Sequence, residues 1–217
     1  MKKHFGKPKN TGLDNLQHQR LRAIRQIDQV IDKQNRPNFS VKDLKQGSII
    51  SFGGQTFLVK VVAIYQESNS SFTKKKKYCS TEFTLFCLEN AEVSYLEWAE
   101  EDGKLEVFYT TAELSFHAIQ DEVGSGVDED DLDQIVDDGD SIFVNGQKFK
   151  YDDDWPAIYS ASDQEVEETV YLYEFKAKDG TYLTMEEWDS GSGEEDYQLW
   201  LSKETDPFSI EIISLGA

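Results

Sequence analysis

The sequence predicts a mainly β protein: two similar antiparallel β units, of SH3-like or small-barrel type, preceded by one amphipathic N-terminal helix. Three observations carry this reading. Runs rich in Phe, Tyr, Val and Leu flank glycine turns four times, as β-hairpins do. Landmarks in those hairpins recur in the same order along the chain, which points to an internal duplication. Helical periodicity is confined to the first 38 residues.

The helical arm comes first. Leu13, Leu16, Leu21, Ile24, Ile27, Val30 and Ile31 fall within about half of a helical wheel at ~100° per residue. Thr11 and Asp14 form a capping-box pattern, and Asn35-Arg36-Pro37 ends the run. Residues 1–47 hold 11 Lys+Arg and 4 Asp+Glu, a net of +7, whereas the remainder holds 11 and 38, a net of −27. The apolar stripe can pack on the acidic body or reach another protein. In the second case the contact residues are Leu16, Leu21, Ile24, Ile27 and Ile31, with Arg22 and Arg25 beside them.

After Pro37 the pattern turns to strands. Ile49 to Val62 around Gly53-Gly54 is the first hairpin, and Leu96 to Tyr109 around Asp102-Gly103 is the second. The third runs from Ile142 to Tyr151 around Asn145-Gly146, and the fourth from Tyr171 to Met185 around Lys178-Asp179-Gly180. Gly54-Gln55-Thr56-Phe57 recurs as Gly146-Gln147-Lys148-Phe149, Ala63-Ile64-Tyr65 as Ala157-Ile158-Tyr159, and Glu97-Trp98 as Glu187-Trp188. The offsets are 92, 94 and 90 residues. Between the repeats, residues 121–140 hold ten Asp or Glu and no Lys or Arg, the composition of a solvated connector. The organisation expected is an arm at 1–38, a β unit at 39–120, the connector at 121–140 and a second β unit at 141–217.

Composition excludes several functions. A net charge of −20 repels nucleic-acid phosphates and anionic lipid. The N-terminus lacks the apolar run of a secretory signal, and Phe57 to Tyr65 is too short and too interrupted to span a bilayer, so the cytoplasm is the expected location. Cys79 and Cys87, eight residues apart in one strand pattern, cannot bridge each other there. The acidic run Asp128 to Asp133 lacks the glycine of a calcium loop, since Val136 stands sixth from Asp131; no cofactor or metal is expected. His117 is the one imidazole in the β body, and no nucleophile elbow, phosphate loop or zinc-protease motif occurs. Close carboxylate pairs carry no information in a chain with 42 acids. Asp152-Asp153-Asp154 reads as a solvated turn, and Lys74 to Lys77 as a hairpin tip. Trp98 and Trp188 read as equivalent core residues of the repeat, with Trp155 and Trp200 free to line a groove.

One resemblance joins these segments. Leu44 to Val59, then Glu82-Phe83-Thr84-Leu85, Tyr95-Leu96-Glu97, Tyr173-Glu174, Tyr182 to Trp188 and Ile210 to Ile213 together resemble bacterial domain-of-unknown-function family 4178, over about residues 44–214. The chain departs from that pattern at Tyr95, where Trp is usual, and in its acidic connector. The resemblance carries over no catalytic residue; it implies an adaptor role, because some relatives accompany envelope-stress systems of the phage-shock type. The function expected is therefore that of a non-enzymatic binding or adaptor protein. A carboxylate-based or metal-dependent small-molecule enzyme with a site between the β units stands as one alternative. An acidic mimic of nucleic-acid phosphates stands as another.

Overall fold

The structure is a computed structural model that describes residues 30–189 and 195–216. Among these residues the strands are β1 (Ile49–Phe52), β2 (Gln55–Ser68), β3 (Lys75–Cys87), β4 (Val93–Glu101), β5 (Lys104–Leu114) and β6 (Ile119–Gln120). Helix α1 (Glu129–Asp138) follows, then β7 (Ser141–Val144), β8 (Gln147–Ala161), β9 (Glu168–Ala177), β10 (Thr181–Asp189), β11 (Glu195–Glu204) and β12 (Glu211–Ser214). The chain is mainly β, and all four predicted hairpins form. Three of their turns have both central residues at positive φ: Gly53 and Gly54 at 58° and 78°, Asp102 and Gly103 at 49° and 79°, Asn145 and Gly146 at 52° and 77°. That geometry matches the right-handed twist of the flanking strands, and only Gly, Asn and Asp reach it at low cost.

The chain divides into two compact units, each discontinuous in sequence. The first comprises the residues up to Val62 with Phe83–Tyr95 and Asp206 onward; the second comprises Ala63–Glu82 with Leu96–Thr205. Neither follows the boundaries 39–120 and 141–217.

In the first unit β1 lies between β12 and the start of β2. Ile49, Ile50, Phe57, Val59, Phe83, Leu85 and Ile212 are buried there. Arg36 binds Glu211 at 2.6 Å and donates from Nε to the Ile31 carbonyl. The predicted helix, with Leu16, Leu21, Arg22, Ile24, Arg25 and Ile27, lies outside the described residues. Its last two positions are described and are not helical. Val30 bridges Ser214 antiparallel, and the Ile31 N–H donates to the Ile213 carbonyl. An edge strand offers unpaired backbone groups, and the chain entering at residue 30 satisfies some of them.

The second unit replaces the expected pair of SH3-like units. Its strands run β2-β3-β4-β5-β11-β10-β9-β8, and β8 pairs back onto β2, closing an antiparallel barrel of eight. Two four-stranded meanders, β2–β5 and β8–β11, meet at the ladders β2–β8 and β5–β11. The physical reason is the edges. Each meander alone would leave two rows of unpaired N–H and C=O groups, and only mutual closure removes both. The Tyr65↔Tyr159 register, flanked by Ala63↔Ala161 and Glu67↔Ala157, defines the first seam.

The acidic connector is also corrected. Residues 129–138 form α1, whose N-cap Asp128 accepts from the Asp131 N–H and whose C-cap Gly139 takes the left-handed conformation at φ 66°. Acidic residues in the first turn suit the helix dipole. Leu132 is fully buried with Val127, Ile119, Ile142, Phe149, Phe175, Leu183, Met185 and Leu199. The helix, β6 and β7 thereby cover the outer face of β9–β11. No described helix is long and apolar enough to cross a membrane.

Leu132→Ala should cost about 2–5 kcal/mol, as removal of a buried Leu usually does. Urea denaturation checks it; a loss below about 1 kcal/mol would mean α1 adds little to this core.

Candidate functional site

Strands alternate their faces, so the residues opposite the α1-covered face of β9–β11 point into the barrel. On β9 these are Leu172 and Glu174, opposite the buried Tyr173 and Phe175; on β10 they are Glu186 and Trp188, opposite Met185. Direct contacts across the ring identify this side as the interior. The Tyr65 hydroxyl of β2 donates to Glu186 Oε1 at 2.6 Å, and Trp188 Nε1 donates to Glu186 Oε2 at 3.0 Å. Glu186 is only 3% exposed and Tyr65 only 2%. Tyr159 stands edge-on to both Tyr65 and Trp188, with ring centroids at 5.0 and 5.1 Å. On β8, Trp155 Nε1 donates to Glu174 Oε1 at 2.9 Å, and the Tyr78 ring meets Trp155 edge-on at 5.3 Å.

Four glutamates thus share the interior: Glu82 of β3, Glu97 of β4, Glu174 of β9 and Glu186 of β10. Burial pushes the Glu97 carboxyl up to about 8; the Ser80 hydroxyl pulls the other way, and Glu82, Glu174 and Glu186 add repulsion. Burial likewise raises Glu174 to about 7, against the Trp155 hydrogen bond, with Asp153, Asp152 and Glu101 raising it further. Tyr65 and Tyr78 are held well above the ordinary phenol range, first by burial and then by the neighbouring glutamates. The Ser80 side chain is itself buried, at 1% exposure. Its hydroxyl hydrogen-bonds the Glu97 carboxyl and so favours its charged form.

The other sequence candidates resolve differently. Glu97 faces inward, so Trp98 next to it faces outward with Val107, its cross-strand partner. Trp188 faces inward, and the Glu97-Trp98 and Glu187-Trp188 pairs are out of phase by one residue. Trp155 is 6% exposed inside the barrel rather than on a groove, and Trp200 is half-buried across from Thr184. Asp152 to Asp154 belong to β8 at a bulge, not to a turn. Asp154 accepts hydrogen bonds from the Tyr151 and Tyr171 hydroxyls. His117 is exposed on a 3-10 turn. Lys75, Lys76 and Lys77 are strand residues of β3, the first two paired with Glu167 and Glu67 at 2.8 Å each. Cys79 and Cys87 are unbridged. Asp131 serves the α1 cap, and no three His, Cys, Asp or Glu among the described residues are arranged to hold a metal ion.

Sequence reasoning missed the four glutamates because it set close acid pairs aside among 42 acids. A usable signal existed: each stands in an aromatic or apolar strand segment, and all four fall in the segments that carry the family resemblance.

Glu97 and Glu174 have folded-state values above the ordinary 4.5. The folded protein therefore holds more protons than the unfolded chain between about pH 4.5 and 8, and stability falls as pH rises through that window. Glu97→Gln should flatten this fall, read by urea denaturation from pH 5 to 8.5. An unchanged slope would place Glu97 in water.

No curated protein and no solved structure matches the chain. The family model described as a domain of unknown function, DUF4178, matches residues 45–207, and the chain belongs to that family.

Proposed function

We propose that the eight-stranded barrel is a ligand-binding module and that the protein is a non-enzymatic binding or adaptor protein. One observation carries this reading: the barrel interior holds glutamates, tyrosines and tryptophans where a barrel of this size built only for stability packs aliphatic side chains. A few placed polar groups among aromatic walls is the make-up of a small-molecule site. Two glutamates come from each meander, and the Tyr65↔Tyr159 seam pairs equivalent residues of the two. Both features favour descent of the meanders from one duplicated ancestor. In this proposal the basic arm recruits a protein partner through Leu16, Leu21, Ile24, Ile27 and Ile31. A cytoplasmic location and the link to bacterial envelope stress belong to the same proposal.

A second reading has a specific observation behind it. Glu97 near 8 and Glu174 near 7 lie where a general acid works best at neutral pH, which favours a carboxylate-based enzyme acting on a small molecule.

Titration of the full-length protein with small cationic, anionic and neutral compounds, followed by tryptophan fluorescence and thermal shift, tests both. Binding predicts that one class changes the signal of Trp155 and Trp188 and raises Tm by about 3 °C or more. No response to any class would contradict it. Recovery of the compound unchanged after release supports the binding module; recovery of a product favours the enzyme.

A further inference from the structure

We propose that the open edge of β8 between Asp152 and Trp155 docks an extended, Arg- or Lys-bearing segment of another protein. The segment adds to β8 as a strand and lays its cationic side chains against Tyr151, Asp154 and Tyr171. This extends the adaptor reading to a second surface, on the outer wall, and needs no ligand inside the barrel.

The backbone supplies the first argument. Along one edge β8 pairs with β9 from Phe149↔Ala177 to Tyr159↔Glu168, with a bulge between Tyr151 and Asp153. Along the other edge it changes partner. Ser141↔Lys150 ends the ladder with β7, and Glu67↔Ala157 is the first pair with β2. The Tyr151 N–H still donates to the Asp140 carbonyl at 3.0 Å, and the Pro156 carbonyl accepts from the Ser68 hydroxyl at 3.3 Å. From Asp152 to Trp155 no described strand pairs with this edge. The Asp154 N–H donates to Asp153 Oδ1 at 2.9 Å, a bond that an incoming carbonyl can replace. Open backbone of this kind is a template for strand addition.

The side chains then select the strand. Asp152 and Asp153 are exposed. Asp154, next to the inward Trp155, faces outward and accepts hydrogen bonds from the Tyr151 and Tyr171 hydroxyls. Both rings are thereby fixed beside one carboxylate. The charged side chains acting on these two phenols are Asp154, Asp153 and Glu187, every one an acid. Like charges directly opposite destabilise a strand pair, so the aspartates turn acidic strands away and admit a cationic one. A guanidinium or ammonium there also meets the faces of the tyrosine rings. The net charge of −20 steers such a partner toward the protein.

Calorimetric titration of the full-length protein with capped heptapeptides tests the proposal. The probes alternate Arg with Thr, Gln with Thr, or Glu with Thr, and a fourth is the Arg-Thr peptide methylated on its backbone nitrogens. The Arg-Thr peptide should bind about tenfold or more tightly than each of the others. Asp154→Asn should weaken it about tenfold, and Glu167→Gln, on the surface pair with Lys75, should not. If Asp154→Asn does not fold, Asp152→Asn, at an exposed position, should weaken it about threefold. Unchanged affinity in the folded variants would overturn the site. Equal binding of the methylated peptide would reduce the contact to charge and overturn strand addition. Equal binding of the Gln or Glu peptide would overturn the cationic partner. Reversible pairing of copies that the Arg-Thr peptide disrupts, read by sedimentation, would give the edge to a second copy and overturn the assignment to another protein. No binding of any peptide would overturn the docking site and leave the barrel reading to its own titration.

Discussion

The pairing of β8 back onto β2 is the constraint on which the site depends. In an open sheet the inward-facing glutamates of β3, β4, β9 and β10 would stand on separate strands along a solvated face. Once Tyr65 sits opposite Tyr159 and the ring is closed, those side chains face one another across the barrel interior. Enclosure brings Glu82, Glu174 and Glu186 into range of Glu97 and removes the water that would otherwise screen them. The elevated carboxyl values, the buried phenol of Tyr65 and the indole donors of Trp155 and Trp188 all follow from that one closure.

The same strands serve two purposes on their two faces. The outer face of β9–β11 is aliphatic and aromatic, covered by α1 with Leu132, Ile142 and Phe149. That core gives stability without using the interior. The inner face is thereby released to hold polar groups that weaken the fold above neutral pH, a cost proteins accept at functional sites. Local strand alternation links the two: Met185 and Phe175 pack outward because Glu186 and Glu174 point inward.

Much of this was legible in the sequence. The four hairpins were, since turn pairs such as Asn145-Gly146 are local signals needing nothing distant. Their assembly was not. Which strands pair across a hundred residues depends on edge closure, and that left two successive units and one interleaved barrel equally compatible with the same hairpins. Helix α1 was hidden by its own charge. Leu132, Ile135 and Val136 have helical spacing between Asp128 and Gly139, but ten acids in twenty residues read as solvent. The glutamates were lost in a similar way, because identity gives no hint of facing until register is fixed. A one-residue phase error is enough to exchange Trp98 with Glu97, as the Glu-Trp landmark did.

The account stands on the enclosure of Glu97, and its carboxyl can be observed directly. Side-chain carbon NMR of glutamate-labelled protein, titrated from pH 4 to 10 with the Glu97 signal assigned by its loss in Glu97→Gln, reports that group. The structure predicts a midpoint near 8 with coupling to the titration of Glu174 near 7. A midpoint at the ordinary 4.5 would mean that water reaches the carboxyl freely and that the four glutamates do not form one site.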